Sequence, residues 1–451
     1  MFYDAQGLAI TAASADAAAA FDATVAGYLA YRADTAQRME AALAADSECG
    51  LAHCLKGSLL MLTYKQANVA IAAGCAETAR RCMAKGATPR ELYHLDALDA
   101  WIAGELDATT AIWETILAEH PRDVVAFRLA HFLYFWLGRP DQMLASVARV
   151  APHWSTDVPG YGAVLASLCF AHEECGHYIE AETAGRAAIE IDPSNLWAAH
   201  GVAHVLEMQG RRQEGLAWIA TLRGGWEHAN NLRHHLWWHA AMYHLELGDP
   251  TAVLRLYDCE FRNLTAPLTA AMPDLYIDVQ NAASMLFRLG LHGVDIGDRW
   301  NEIATHAEAR LGDCLSAFTL PHWMMALAAT SRQTAASHML AAMRDFAQRP
   351  GTTPMLVGRY ALPVTEAVLA HAQGEPERAV ALMRPVLGSM HRLGGSHAQQ
   401  DVLEQLFLQA AMQAGLDDDV RLMLERTRAR HPVPASRRVG YRAAAQRVAF
   451  V

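Results

Sequence analysis

Histidine is the residue type whose number and spacing point to chemistry. The chain has 22 histidines in 451 residues, and seven of them (His200, His204, His228, His234, His235, His239 and His244) fall between positions 200 and 244. An even spread would put about two there. His200, His204 and Glu207 are spaced four and three apart, so on a helix they share one face. His235, Trp238, His239 and Met242 share a face in the same way, whereas His244 lies about 140° round the helix from His239.

That pattern admits three chemistries. Imidazoles at i and i+4 chelate one ion from a helix, so His200 and His204 are candidate ligands for a divalent metal, with Glu207 third and His235 or His239 fourth. The pair is not an H-E-x-x-H metalloprotease motif, because position 201 is Gly. Acid–base work is the second, since histidine titrates near neutral pH; its candidates are His239, His322, and His397 with Asp401 one turn on. The third is a hydrogen-bonded histidine network that only stiffens its surroundings. His397 and Asp401 lie at a helix start that Ser396 can cap, where free N–H groups suit an anion. Asp278 and Asn281, at i and i+3, form a weaker polar pair.

Helices must position these residues. Helix formers dominate the chain, and no segment alternates with period two. Glycine-centred breaks recur at Gly104, Gly138, Gly176, Gly210 and Gly248, spaced 34, 38, 34 and 38. Further breaks near Gly290, Ser331, Gly374 and Gly415 follow at about 41–43 residues. A period near 34 with one glycine turn per unit means paired helices stacked on their neighbours. Residues 162–195 carry the pattern best, with Gly176 at the turn, Tyr178, then Ala181, Ala188 and Pro193 at tetratricopeptide spacing. The next unit keeps register to Gly210 and then departs, with Gly215 where the pattern has Ala. The proline-rich stretch 349–363 reads as an irregular loop. The seven arginines of 425–447 read as the solvated face of a capping helix.

In tetratricopeptide repeats the first helix of each pair lines the concave groove. Trp197, His200, His204 and Glu207 occupy such positions, as do His235, Trp238 and Met242 in the next unit. Trp197, His200, His204, Glu207, His235 and Trp238 are therefore the candidate ligand-binding set.

Composition narrows the classes. Hydrophobic residues make up 53% and charged residues 19%, which excludes intrinsic disorder. The net charge of −11 argues against nucleic-acid binding, which needs a basic face. No apolar run reaches about 18 residues, so no membrane helix is expected. The N-terminus has no basic residue before Arg32, which gives the expectation of a cytoplasmic protein. Eight cysteines without a C-x-x-C pair fit reduced, buried thiols.

Four phrases, AHGVAHVLEMQGR (199–211), WWHAAMYHLELGD (237–249), HWMMALAA (322–329) and GGSHAQQDVLEQL (394–406), resemble the tetratricopeptide-repeat protein 38 family in order and spacing over about residues 90–415. The resemblance implies an all-helical repeat fold and draws attention to His200, His204, Glu207, His239, His322, His397 and Asp401. This chain departs from the family at Leu320, where an Asp would stand two residues before His322.

The expected fold is all-α: a right-handed α-solenoid of tetratricopeptide-like helix pairs curved around a concave cavity. It forms one domain over 1–451, with N-terminal helices to 90, the best-defined repeats over 91–290, and longer, degenerate repeats with a cap over 291–451. The expected function is a binding module holding a peptide, partner protein or small ligand in a His/Trp-lined groove, with homo-oligomerisation open. The alternative is an enzyme with a His/Glu/Asp-lined cavity, with or without a metal.

Overall fold

Each glycine break becomes the end of a helix. In the computed structural model, which describes residues 2–449, Gly104, Gly138, Gly176, Gly210 and Gly248 follow first helices with φ between 61° and 81°. A side chain at those angles would meet the backbone, so glycine ends the helix and reverses the chain. Ser331 takes the same role with φ 56°, a strained conformation for a residue with a Cβ. The break near Gly290 falls slightly later, at Gly293 (φ 69°), because Gly290 remains inside its helix.

A short hairpin that period-two patterning does not reveal comes first, pairing β1 (Phe2–Tyr3) with β2 (Ala9–Ile10). Its turn is closed by the Asp4 carboxylate, which accepts from the Gln6 and Leu8 amides at 3.1 and 2.8 Å. Helices α1 (Ala15–Leu29) and α2 (Thr35–Ala45) pair next, then α3 (Gly50–Met61) with α4 (Gln66–Met83) and α5 (Pro89–Ile102) with α6 (Leu106–Glu119). They are followed by α7 (Val124–Trp136) with α8 (Pro140–Val150) and α9 (Tyr161–Glu174) with α10 (Tyr178–Ile191). The alternation continues through α11 (Leu196–Met208), α12 (Arg212–Leu222), α13 (Leu232–Glu246), α14 (Pro250–Leu256) and the short α15 (Pro267–Ala271). Then come α16 (Tyr276–Leu291) with α17 (Trp300–Ala309), α18 (Thr319–Ala329) with α19 (Gln333–Phe346), and the short α20 (Thr352–Leu356). The chain ends with α21 (Leu362–Ala372) and α22 (Pro376–Met383), α23 (His397–Gln413) and α24 (Asp417–Arg430), and α25 (Arg442–Arg447). The fold is an all-α solenoid of tetratricopeptide-like helix pairs.

The chain groups into two compact units. Unit 1 gathers residues up to Val202 with 224–232 and 351–353; unit 2 gathers 203–223, 233–350 and the chain from Pro354 onward.

In unit 1, local chemistry starts the helices. Thr88 and Glu91 form a capping box ahead of α5 with Pro89 in the first turn, and the Asp123 carboxylate caps α7 by accepting from the Ala126 amide at 2.9 Å. Close packing follows from small residues. Ala181 and Ala188 of α10 are fully buried, and a Cβ on Gly185 would stand 2.7 Å from the Cys169 sulfur. In unit 2 the first helices form an inner layer, with α18 packed on both α16 and α21, and α23 packed on α16 and α21. Second helices such as α19 bury one stripe (Ala335, Ala336, Met339, Leu340, Met343, Phe346), whereas α18 and α23 are buried almost all round.

The 349–363 stretch is helical from Thr352 onward rather than an irregular loop. Pro354 and Pro363 each sit in the first turn of a helix, α20 and α21, where no backbone donor is required. Between them Val357–Ala361 widens to a π-turn, with the Leu362 amide reaching the Val357 carbonyl. That wider turn takes up the break in the hydrogen-bond ladder which Pro363 imposes.

Candidate functional site

Unit 2 carries its polar chemistry on the first helices of successive pairs. His204 and Glu207 come from α11, His234, His235, Trp238 and His239 from α13, Asp278, Asn281 and Arg288 from α16, and Asp401 from α23. All except Glu207 are buried, and its side chain keeps 12% exposure.

Three imidazoles converge there. The rings of His204 and His239 are 4.4 Å apart, those of His235 and His239 4.8 Å, and those of His204 and His235 6.4 Å. Nδ1 of His239 lies 2.6 Å from Oε2 of Glu207, and His235 Nδ1 donates to Asn281 Oδ1 at 2.8 Å. Trp238 stacks on His235 at 5.1 Å with the planes 9° apart. Beside them, His234 Nδ1 is 3.1 Å from Asp278 Oδ2. Burial pushes His235 and His239 down to about 3 and His204 well below its ordinary value, with the neighbouring imidazoles adding to the effect on His235 and His204. The three rings are therefore neutral at neutral pH.

A second cluster is organised by Asp401. Its carboxylate accepts from Arg438 Nη2 at 2.5 Å, Tyr441 OH at 2.6 Å, Gln405 Nε2 at 2.6 Å and Arg288 Nη2 at 3.3 Å. Burial alone would raise this carboxyl, but the guanidinium groups of Arg438 and Arg288 and the Tyr441 hydroxyl hold it at about 2. Glu246 accepts from Arg212 Nη2 at 2.8 Å and from the Val439 amide at 3.2 Å. Glu207 behaves oppositely to Asp401: burial pushes it up to about 8, with Asp401 adding to the rise, against the pull of Arg288, Arg438 and Arg212. Glu207, Tyr243, Glu246, His397, Asp401 and Arg438 line a cavity of about 30 Å³. That is space for one or two waters.

The arginine-rich C-terminal stretch is not simply a solvated face. Arg438 is buried against Asp401, and Arg426 and Arg430 reach Glu404 at 3.1 and 2.9 Å. Two carboxylates buried on α23 need cations, and this segment supplies them. Arg288, Arg438, Tyr441 and Glu246 are the members of the site that sequence spacing did not single out. For Arg438 and Tyr441 the only signal was the arginine-rich run of 425–447, and Arg288 and Glu246 had none.

The other sequence candidates lie as follows. His322 Nδ1 donates to the Phe318 carbonyl at 2.8 Å, and Leu320 is buried, so a backbone carbonyl takes the place of a carboxylate. Ser396 caps α23 with Gln399 in a capping box. His397 and Asp401 both line the small cavity, but the Asp401 oxygens are taken by Arg438, Arg288, Tyr441 and Gln405. His397 Nδ1 has no hydrogen-bond partner among the described residues. His244, half-buried, lies 3.6 Å from Asp249.

Trp197 and His200 belong to an aromatic cluster of unit 1. The Trp197 ring lies 4.7 Å from those of His200 and Phe170, 5.3 Å from Phe132 and 5.7 Å from Tyr31. Arg128, 1% exposed, lies in this cluster with its guanidinium carbon 4.5 Å from the Phe132 centroid and 4.7 Å from that of Trp197. It donates to Ser167 Oγ at 2.8 Å and to the Tyr31 hydroxyl, and has no carboxylate partner among the described residues.

Unit 2 also has an open groove of about 460 Å³, formed by α12, α13 and the segment from α14 to Glu260. Leu216, Ile219 and Trp237 line its floor, with Arg223, Arg255 and His244 among the polar lining groups. Arg223 and Arg255 are exposed, and neither forms an ion pair among the described residues.

No protein-family model matches the chain. A chain in the solved structure of Naa15/Naa10 bound to HypK-THB is similar at 12% identity and a TM-score of 0.26, covering 91% of this chain and 68% of that one. A TM-score this low does not carry the fold, which stands on the helix pairs themselves. No helix among the described residues is long and apolar enough to cross a membrane.

Proposed function

We propose that the protein is a helical-repeat binding module and that the groove of unit 2 takes a peptide segment of a partner protein, an apolar side chain next to a carboxylate. The observation that carries this reading is the groove itself. Its volume of about 460 Å³ suits one large side chain with its neighbours, and its apolar floor is flanked by Arg223 and Arg255, which form no ion pair among the described residues although Glu260 also lines the groove. An apolar anchor displaces water from Leu216, Ile219 and Trp237, while a carboxylate takes one of the guanidinium groups. The small cavity at Asp401, with space for water only, does not favour a substrate site over this reading. Membership of the tetratricopeptide-repeat protein 38 family is part of the proposal, supported by the four phrases quoted above.

Selection from a random peptide display library tests it. Enriched peptides are expected to pair an aromatic or branched apolar residue with Asp or Glu. Their binding should fall at least tenfold in Trp237→Ala and in an Arg223→Glu, Arg255→Glu double variant. Peptides that bind all three proteins equally would remove the groove as the site.

A further inference from the structure

The three imidazoles of unit 2 have an arrangement that histidine packing alone does not require. One ring nitrogen from each of His204, His235 and His239 lies within 4.8 Å of the others. His235 and His239 are one turn apart on α13, and His204 faces them from α11. The outer side of the set is ordered as well. His235 gives its Nδ1 proton to Asn281, and His239 has its Nδ1 on the Glu207 carboxyl. His235, which donates through Nδ1, keeps its lone pair on Nε2, and Glu207 once ionised would fix the same tautomer in His239. This is how histidines are prepared to hold a metal.

We propose that His204, His235 and His239 form a binding site for a divalent transition-metal cation, zinc first, with Glu207 and Asn281 as the outer partners that orient two of the three rings. An all-imidazole set suits zinc, cobalt, nickel or copper and is a poor match for magnesium or calcium, which take oxygen ligands. Zinc–nitrogen bonds of about 2.0–2.1 Å set neighbouring nitrogens roughly 3.3 Å apart, which rings already within 4.8 Å reach by side-chain rotation. Glu207 keeps some exposure and also lines the small cavity. None of the three histidines lines the groove proposed for peptide binding, so the two readings stand or fall separately.

The test uses the full chain without a histidine tag, stripped with a chelator and titrated with zinc against a chromophoric competitor. Cobalt(II) is then added and followed by visible absorption. About one equivalent of zinc is expected, with cobalt bands of a low-coordinate nitrogen site. His235→Ala and His239→Ala should weaken zinc at least 100-fold. Asn281→Leu, which removes only an outer partner, should weaken it about 10–100-fold. Wild-type protein that is folded yet takes up neither metal at micromolar concentration would overturn the proposal, as would variants that bind like wild type. Should the histidine variants fail to fold, the cobalt spectrum of the wild-type chain decides. Intense tetrahedral bands support the site, and a weak octahedral spectrum overturns it.

Discussion

One site in each unit buries arginine in an opposite way, although unit 1 also pairs its buried Arg90 with Asp123 at 2.6 Å. In unit 1, Arg128 sits among the rings of Tyr31, Phe132 and Trp197 with two hydroxyls as its hydrogen-bond partners and no carboxylate among the described residues. In unit 2, Arg288 and Arg438 converge on the single carboxylate of Asp401. A guanidinium tolerates both because it is planar and weakly hydrated, stacking on rings as well as forking onto oxygen. The consequences differ. Aromatic faces offer a diffuse attraction that no single residue controls, whereas a shared carboxylate makes two cations depend on one side chain. Histidine shows a third route, losing its charge: His131 in unit 1 and His322 in unit 2 are both held below the ordinary imidazole range, chiefly by burial.

The sharpest way to break the contrast is Asp401→Ala. It leaves Arg288 and Arg438 buried without their counter-ion, and a loss of about 3–5 kcal/mol in denaturant unfolding is expected. A loss below about 1 kcal/mol would mean that unit 2 does not depend on the shared carboxylate.

The neutral route predicts a pH effect. Burial, with Arg288 adding to it, holds His322 at about 4 against the upward pull of the Phe318 carbonyl. Its folded value lies below the unfolded one of about 6.5, so the stability it contributes is present above pH 6.5 and is lost as pH falls through 4. The difference is on the order of 3 kcal/mol. His322→Leu should therefore flatten the stability profile between pH 6.5 and 4, as followed by urea unfolding across that range. An unchanged slope would show that His322 protonates without cost in the fold.

The smallest effect is expected at Arg128. Arg128→Met replaces a buried cation with an apolar chain of similar length, and stability should change by less than about 1 kcal/mol in either direction. A loss above about 3 kcal/mol would show that the aromatic cluster needs its cation as much as Asp401 needs its own.

Much of this was legible in the sequence. The glycine spacing located the turns because only residues tolerant of positive φ end these helices tightly, and Gly104, Gly138, Gly176, Gly210 and Gly248 all adopt it. The phrase GGSHAQQ announced a capped helix, since a capping box needs only residues three apart. Gly215 looked like decay of the repeat and has a structural cause. A Cβ there would stand 2.4 Å from the Tyr243 ring, whose hydroxyl donates to the Ala203 carbonyl at 2.6 Å. The prolines of 349–363 were read as breakers because their place in a first turn depends on where the helices begin.

Periodicity, caps and turn glycines by themselves determined that this protein is a series of helix pairs and which helix faces carry the histidines, because each depends on residues within about four positions of one another. What surrounds those faces was decided only by tertiary structure. Asp401 meets Tyr441 across 40 residues and Arg288 across 113, and Glu246 meets Val439 across 193. Such pairings leave no local signature, because the burial that makes a charge need its partner exists only once the helices have packed.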